Sequence, residues 1–216
     1  MTIGIARRAV RAYAALYLWA AERLYHEFAP LYDPVSRLVS GGRWEHWRRI
    51  ALDYVRGPDV LEVGFGTGEL LIEMAARGWN VTGVEPSAAM QRVTRGKLRK
   101  LALTLPRVQG CVEELPFRGA RFDTVVSTFP TEYIVQIAGL SEIARVLRPG
   151  GRLVVVGIAV YREQRRPGIP LYLKAHSERP VEYFCKLAHS ADLSVRLISR
   201  FDPPSRAPVL IAERRP

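Results

Sequence analysis

Cysteine and histidine are scarce in this chain. Two cysteines, Cys111 and Cys185, and four histidines, His26, His46, His176 and His189, are scattered over 216 residues in no metal-ligand or redox spacing. Neither a disulfide framework nor a bound metal is expected. Long apolar runs are missing too: none approaches the roughly 20 residues that a membrane-spanning helix needs. Repeats and the compositional marks of disorder are absent. Apolar residues make up 48% and charged residues 25%, ordinary for a globular chain long enough to bury one α/β core. Lysine is nearly missing, with Lys97, Lys100, Lys174 and Lys186 alone, so arginine carries the net charge of +11. A basic surface attracts nucleic acid, phospholipid headgroups or acidic small molecules. A genome biased towards arginine codons produces the same excess. The densest cluster, Arg92, Arg95, Lys97, Arg99 and Lys100, reads as the solvated face of a helix.

The N-terminus holds the one segment that looks like a targeting signal. Arg7, Arg8 and Arg11 precede the uncharged stretch Ala12 to Ala21, but that stretch is rich in alanine and tyrosine and Glu22-Arg23 follow at once. A cytoplasmic protein is the better reading. Residues 6–28 instead form a helix, with Tyr13, Leu16, Tyr17, Ala20, Leu24 and Phe28 at helical spacing. Pro30 and Pro34 punctuate its end, and a second helix runs from Arg43 to Val55.

From Asp59 onward the period changes. Strands are expected at Asp59–Val63, Asn80–Val84, Val108–Cys111, Asp123–Ser127 and Arg152–Ile158, with helices over Gly66–Arg77, Ala88–Leu103 and Tyr133–Leu147. Such alternation builds a parallel sheet with right-handed crossovers and helices on both faces. After a polar loop over Tyr161–Ile169 come a helix, Val181–Ala191, and two strands, Leu193–Arg200 and Val209–Glu213. Two strands with no helix between them suggest a hairpin on the sheet edge. The expected fold is α/β, a Rossmann-like doubly wound sheet of seven strands, mostly parallel, with one antiparallel edge strand and N-terminal capping helices. One domain spans 1–216, with 1–57 as a helical cap and 58–216 as the core.

The segment Val60 to Leu70 carries the chemistry. A buried strand ends in glycines and a helix begins. Gly64, Gly66 and Gly68 remove the Cβ atoms that would keep a ligand off the backbone, and the helix N-terminus presents free N–H groups. This arrangement serves nucleotide-like ligands at a switch point of the sheet. A dinucleotide fingerprint would need a third glycine at residue 69, where Glu69 would repel a pyrophosphate. The G-x-G-x-G spacing suits a ligand with an amino-acid tail, its cationic groups near Glu62. Glu85, at the end of the second strand, is placed to accept hydrogen bonds from both ribose hydroxyls.

Four segments together resemble the class I S-adenosylmethionine-dependent methyltransferases, in order, over most of Val60 to Ile158. They are Leu61-Glu62-Val63-Gly64-Phe65-Gly66-Thr67-Gly68, then Gly83-Val84-Glu85-Pro86-Ser87. Glu113-Glu114-Leu115-Pro116-Phe117 with Phe122-Asp123 follows, then Leu147-Arg148-Pro149-Gly150-Gly151-Arg152-Leu153. The resemblance implies S-adenosylmethionine as cofactor and S-adenosylhomocysteine as product. It implies that Glu62, Gly64, Phe65, Gly66 and Gly68 line the methionine and ribose portions, and that Glu85 and Pro86 hold the ribose side. Cys111, Val112 and Glu113 would border the adenine, and Ser127 and Thr128 would face the methionine part. One departure matters: the family commonly has an aspartate where Cys111 stands. A thiol is a poor acceptor, so Cys111 reads as a buried pocket wall, and adenine recognition rests on backbone groups near Val112.

Methyl transfer from a sulfonium is an in-line displacement that asks the protein mainly for alignment and exclusion of water. A base is needed only if the acceptor must lose a proton. Tyr32-Asp33 and Ser40-Gly41-Gly42-Arg43-Trp44-Glu45-His46-Trp47 resemble the entrance segment of the quinone-ring C-methyltransferases. Tyr32 is thus a candidate for a cap or substrate contact and His46 for a base; packing and a surface position are the plain alternatives. Glu132 and Tyr133, after the fourth strand, are candidates to orient the acceptor, although Glu132 equally suits a helix cap. The leading expectation is methyl transfer to O, N or C of a small or lipid-like acceptor. Peripheral membrane contact through the N-terminal aromatics would suit such an acceptor, and core packing explains those aromatics equally. An RNA or protein methyltransferase, a nucleotide-dependent dehydrogenase and a non-catalytic S-adenosylmethionine-binding regulatory protein are the alternatives. Nucleic acid fits less well, because the segment Thr128-Phe129-Pro130-Thr131 lacks the [DN]-P-P-[YF] arrangement of base methylators. Acceptor atom and oligomeric state are not legible.

Overall fold

Apolar alternation with period two runs through the central strands and decides the architecture. The computed structural model describes residues 19–20, 22–130, 132–157, 161–162, 180–202 and 205–215. Its strands are β1 (Asp59–Val63), β2 (Asn80–Val84), β3 (Arg107–Val108), β4 (Phe122–Thr128), β5 (Leu147–Val156), β6 (Tyr161–Arg162), β7 (Leu193–Asp202) and β8 (Ser205–Arg214). The helices are α1 (Tyr32–Ser40), α2 (Arg43–Arg49), α3 (Glu69–Ala76), α4 (Ala88–Lys100), α5 (Ile137–Val146) and α6 (Pro180–Ser190).

One face of the sheet presents Leu61, Val63, Val125, Leu153, Val155, Leu210 and Ala212, which pack with Leu140 and Ile143 of α5 and Phe184 and Ala188 of α6. The other presents Val60, Val126, Val154, Val156, Val209 and Ile211, covered by Trp47 of α2, the 3-10 turn Ile50–Tyr54, and Leu70, Leu71 and Met74 of α3. Both faces are thus buried, as a parallel sheet requires.

The strand order is β3-β2-β1-β4-β5-β8, with β7 pairing β8 on the far side. The strands β1 to β5 are parallel, and β8 is antiparallel to both β5 and β7. These are the seven strands expected, and the antiparallel one belongs to the edge hairpin, as its inner member. A two-residue strand, β6, also pairs with the start of β8. At the opposite end of the sheet from the glycine turn, Arg148 ties β1 to β4 by ion pairs to Asp59 (2.8 Å) and Asp123 (2.6 Å).

Four expectations change. The segment after Pro30 is not a plain break but contains α1, because Pro34 is the third residue of that helix. A first-turn N–H has no intrahelical partner to lose. The helix expected over Arg43–Val55 is α2 followed by the 3-10 turn, and the one over Tyr133–Leu147 is a 3-10 turn, Glu132–Val135, followed by α5. The strand expected to reach Cys111 ends at Val108. Of the helix over 6–28, residues 19–20 and 22–26 are helical, and Tyr13, Leu16 and Tyr17 lie outside the described residues, as do 163–169 of the polar loop.

Ile143 is fully buried between α5 and the sheet. Ile143→Ala is expected to lower the unfolding free energy by ~2–5 kcal/mol, read from the shift of the urea midpoint at an unchanged slope.

Candidate active site

The site forms where the strand order reverses, at the C-terminal ends of β1, β2 and β4. Three glycines after β1 take positive φ: Gly64 at +70°, Gly66 at +55° and Gly68 at +77°. Their surroundings separate their roles. A Cβ on Gly64 would lie 2.8 Å from the Tyr133 hydroxyl, and one on Gly68 would lie 2.4 Å from Thr94 Cγ2, so close packing as well as φ excludes a side chain there. Nothing stands within 4 Å of a Cβ on Gly66. That is the open side of the turn, where the backbone has room for a ligand to approach.

Glu85 follows β2 and is fully buried. Its Oε1 accepts from the Ser87 amide (2.8 Å), and its Oε2 accepts from the Gly66 amide (2.9 Å) and the Tyr25 hydroxyl (2.7 Å). Burial pushes its pKa up, and these three donors pull it back. Ser87 in turn caps α4, its side chain accepting from the Met90 amide.

Glu62 is the odd residue of β1. The alternation that sends Leu61 and Val63 to one face sends Glu62 with Val60 to the other, below Trp47 and Ile50. It is 1% exposed, and its Oε2 has no hydrogen-bond partner among the described residues. Arg48 of α2 acts on it through charge, and Arg48 Nε is itself buried, with no hydrogen-bond partner among the described residues. Burial pushes the Glu62 carboxyl up to about 8 from its ordinary 4.5, against the pull of Arg48 and with a further push from Glu85. An orphaned buried carboxyl oxygen beside an open glycine backbone fits a ligand that brings an ammonium group to Glu62.

Above the turn lie the N-terminal elements. Asp33 of α1 accepts from Thr67 in the glycine turn (2.7 Å) and from Lys97 of α4 (2.6 Å), and Lys97 also pairs with Glu69. Lys97 therefore leaves the solvated face on which the sequence placed it. An aromatic group closes the roof: Trp44 stacks on Phe129 at 3.8 Å, with Tyr32 edge-on to Trp44 and Tyr25 edge-on to Tyr32. Phe129 follows β4 with φ of 49°, costly for a bulky side chain. Its amide donates to the Val156 carbonyl at 2.7 Å, and its ring fills the space above Gly157, where a Cβ would lie 2.5 Å away.

Most of the residues anticipated for the cofactor meet here. Phe65 is buried against Gly83, and the Pro86 carbonyl accepts from Gln109. Ser127 is buried and shares a 2.7 Å hydrogen bond with Tyr133, whose hydroxyl also donates to the Val63 carbonyl; Thr128 is half-buried. Val112 is buried and Glu113 exposed. Cys111 departs from expectation: it is exposed, not a buried wall. With β3 already ended, Cys111 is the cap of the 3-10 turn Val112–Glu114, and it is Val112 that turns inward. His46 is exposed on α2. The side chain of Glu132 lies outside the described residues. Sequence reasoning missed Tyr25, Arg48, Thr67, Lys97 and Phe129. Thr67 lay inside the glycine motif and Phe129 in the segment after the fourth strand, and Arg48 directly follows the entrance segment, which were the available signals.

Because the folded protein holds the Glu62 proton more tightly than the unfolded chain does, it loses stability as the pH rises from 4.5 towards about 8. Glu62→Gln is expected to flatten that decline in urea unfolding measured across the window. Parallel slopes for variant and wild type would show that Glu62 titrates normally.

Residues 60–151 match the family described as a methyltransferase domain. The chain is 34% identical over 157 residues to a demethylmenaquinone methyltransferase of Tropheryma whipplei (strain Twist), covering 70% of this chain and 64% of that protein. It is 33% identical over 178 residues to the demethylmenaquinone methyltransferase of Mycobacterium sp. (strain JLS), covering 73% and 75%. This chain thus spans less than two thirds of the length of the Tropheryma relative and three quarters of the mycobacterial one. Among solved structures, the fold is similar to geranyl diphosphate C-methyltransferase from Streptomyces coelicolor A3(2), with a TM-score of 0.62 at 15% identity over 79% of each chain. That structure holds Mg2+, geranyl diphosphate and S-adenosyl-L-homocysteine. With a glycine turn at the switch point, a buried acid within β1 and another after β2, and this degree of likeness to the mycobacterial protein, the chain belongs to the class I S-adenosylmethionine-dependent methyltransferases, in the group that includes the demethylmenaquinone methyltransferases.

Proposed function

We propose that the protein binds S-adenosylmethionine and transfers its methyl group to a small or lipid-like acceptor, with a quinone-type ring as the leading class. The observation that carries this reading is the buried Glu85 carboxylate beside the open backbone of Gly66. When bound, the cofactor supplies an electrophilic methyl on a sulfonium; the residues of this chain supply position and dryness. Glu85, with Pro86 beside it, takes the ribose hydroxyls. Glu62 takes the ammonium of the methionine part, and Gly64, Phe65, Gly66 and Gly68 let that part lie along the backbone. Val112 packs on the adenine, Glu113 borders it, and Cys111, being exposed, lies at its rim. Ser127 and Thr128 face the methionine part.

Tyr133 donates to the Val63 carbonyl and meets Ser127, which makes it an orienting group rather than a proton acceptor. Tyr32 with Trp44 and Phe129 forms an aromatic wall that keeps water from the methyl group and suits a planar acceptor. His46 and Glu132 stay as candidates for a base, should the acceptor need to lose a proton. Residues 1–57 act as the cap and 58–216 as the core of one domain. The reading includes a cytoplasmic protein with peripheral membrane contact. Exposed Phe28, Leu31, Leu38 and Val39 on the segment above the site support that contact, and no helix among the described residues is long and apolar enough to cross a membrane. The names of the demethylmenaquinone methyltransferase relatives support the acceptor class.

Calorimetric titration with S-adenosylhomocysteine is expected to show binding that Glu85→Ala weakens at least tenfold, about 1.4 kcal/mol. Incubation with methyl-labelled cofactor and a reduced demethylquinone should move label into the organic phase. Binding without transfer to this or any other small acceptor would favour a regulatory protein. No binding would remove the cofactor assignment.

A further inference from the structure

The end of an α-amino acid carries two opposite charges on one carbon, and a site that desolvates one of them must also satisfy the other. Glu62 is placed for the ammonium, which leaves the carboxylate to be met close by. Arg48 of α2 stands beside Glu62. Its charge acts on the Glu62 carboxyl and favours the ionised form against burial. Neither group is completed by hydrogen bonds: Glu62 Oε2 and Arg48 Nε are both buried, with no partner among the described residues. Two buried charged groups that keep unmet polar atoms are unfavourable unless further groups complete them.

Arg48 also reaches an open cleft, which it lines with Asp33, Arg37, Trp44, Glu45 and Glu69. The cleft lies against the glycine turn, because Asp33 accepts from Thr67 and Glu69 begins α3. Its carboxylates are already engaged: Asp33 and Glu69 by Lys97, and Glu45 by Arg49 at 3.0 Å. Lys97 and Arg49 are thereby committed as well, Arg49 also to Glu73 at 2.8 Å. Arg37 is exposed, where water makes an ion pair worth little. Arg48, half-buried, is the cation of this cleft that a carboxylate meets away from bulk water.

We infer that Arg48 binds the carboxylate of the cofactor's methionine part, so that Glu62 and Arg48 form a clamp of opposite charges for its ammonium and carboxylate. The inference rests on the reading of Glu62 as the partner of the ammonium. A guanidinium suits the task, because its planar fork gives two parallel hydrogen bonds to one carboxylate. The ammonium adds to the pull of Arg48 on Glu62, and the four charges alternate in sign. The helix that carries Arg48 is well anchored: Trp47, the residue before it, is buried against the sheet. Trp44 lies one turn earlier on the same helix and stacks on Phe129 in the roof. One short helix thus holds both the group for the cofactor's tail and part of the wall over the methyl group.

The test is calorimetric titration of wild type, Arg48→Met, Arg48→Lys and Glu85→Ala with two ligands. One is S-adenosylhomocysteine; the other is its decarboxylated analogue, which keeps the adenosine, thioether and amine. Wild type is expected to bind the first at least tenfold more tightly than the second. Arg48→Met should weaken the first at least tenfold, about 1.4 kcal/mol, and leave the second within twofold, so that the preference collapses. Arg48→Lys, which keeps the charge without the fork, should hold an intermediate preference. A loss by Arg48→Met that is equal for both ligands, or no loss for either, overturns the clamp and makes Arg48 a structural residue. Equal affinity of the wild type for the two ligands overturns it with no variant needed, whatever the substitutions do to folding. In these cases wild-type binding and its loss in Glu85→Ala leave the cofactor reading in place. If the wild type binds neither ligand, that reading fails and the clamp fails with it.

Discussion

A carboxylate that no water reaches must be satisfied by the chain around it, and Glu85 shows how much of the site follows from that demand. Its donors come from the glycine turn, from the start of α4 and from the N-terminal segment, so one buried charge holds three stretches distant in sequence at a common point. The amide of Gly66 can reach it because the turn takes positive φ there, and the amide of Ser87 because the chain turns into a helix two residues on. The proposed ligand site is the space these constraints leave beside Gly66.

Glu62 answers the same demand in a different way. It sits on a strand whose alternation would otherwise place an aliphatic residue against Trp47 and Ile50. Among the described residues one of its oxygens has no hydrogen-bond partner, and Arg48 is close enough to act on it by charge. An unmet need of this kind is unfavourable for the empty protein and favourable for a ligand that meets it, and raised pKa values at such positions are common where function lies. The backbone of Phe129 is a second departure from the relaxed state, placed where its ring can stack on Trp44 and roof the site.

Charge at the entrance is more local than the net excess suggests. Glu69, whose carboxylate argued against a pyrophosphate, is paired with Lys97. The stronger argument against a dinucleotide is therefore the geometry of the turn and the likeness of the chain to known methyltransferases. Lys97 was misplaced on a solvated face because helical periodicity says which residues share a side, not what lies above that side. Asp33, 64 residues away, is what draws it in.

The sequence by itself determined the strands and their faces, since a period of two is a local property that each segment carries alone. Asp59–Val63 and Asn80–Val84 have the bounds expected of them, and the glycine turn and Glu85 were legible because the residue types that permit positive φ and accept from hydroxyls are few. Only the tertiary structure decided what stands over the turn. Tyr25 on Glu85, Asp33 between Thr67 and Lys97, Trp44 on Phe129 and Cys111 turned outward all depend on where the N-terminal elements and the short turn after β3 pack. Those contacts join residues far apart in the chain, and no periodicity or spacing encodes them; they are set by which surfaces remain to be covered once the sheet and its helices have formed.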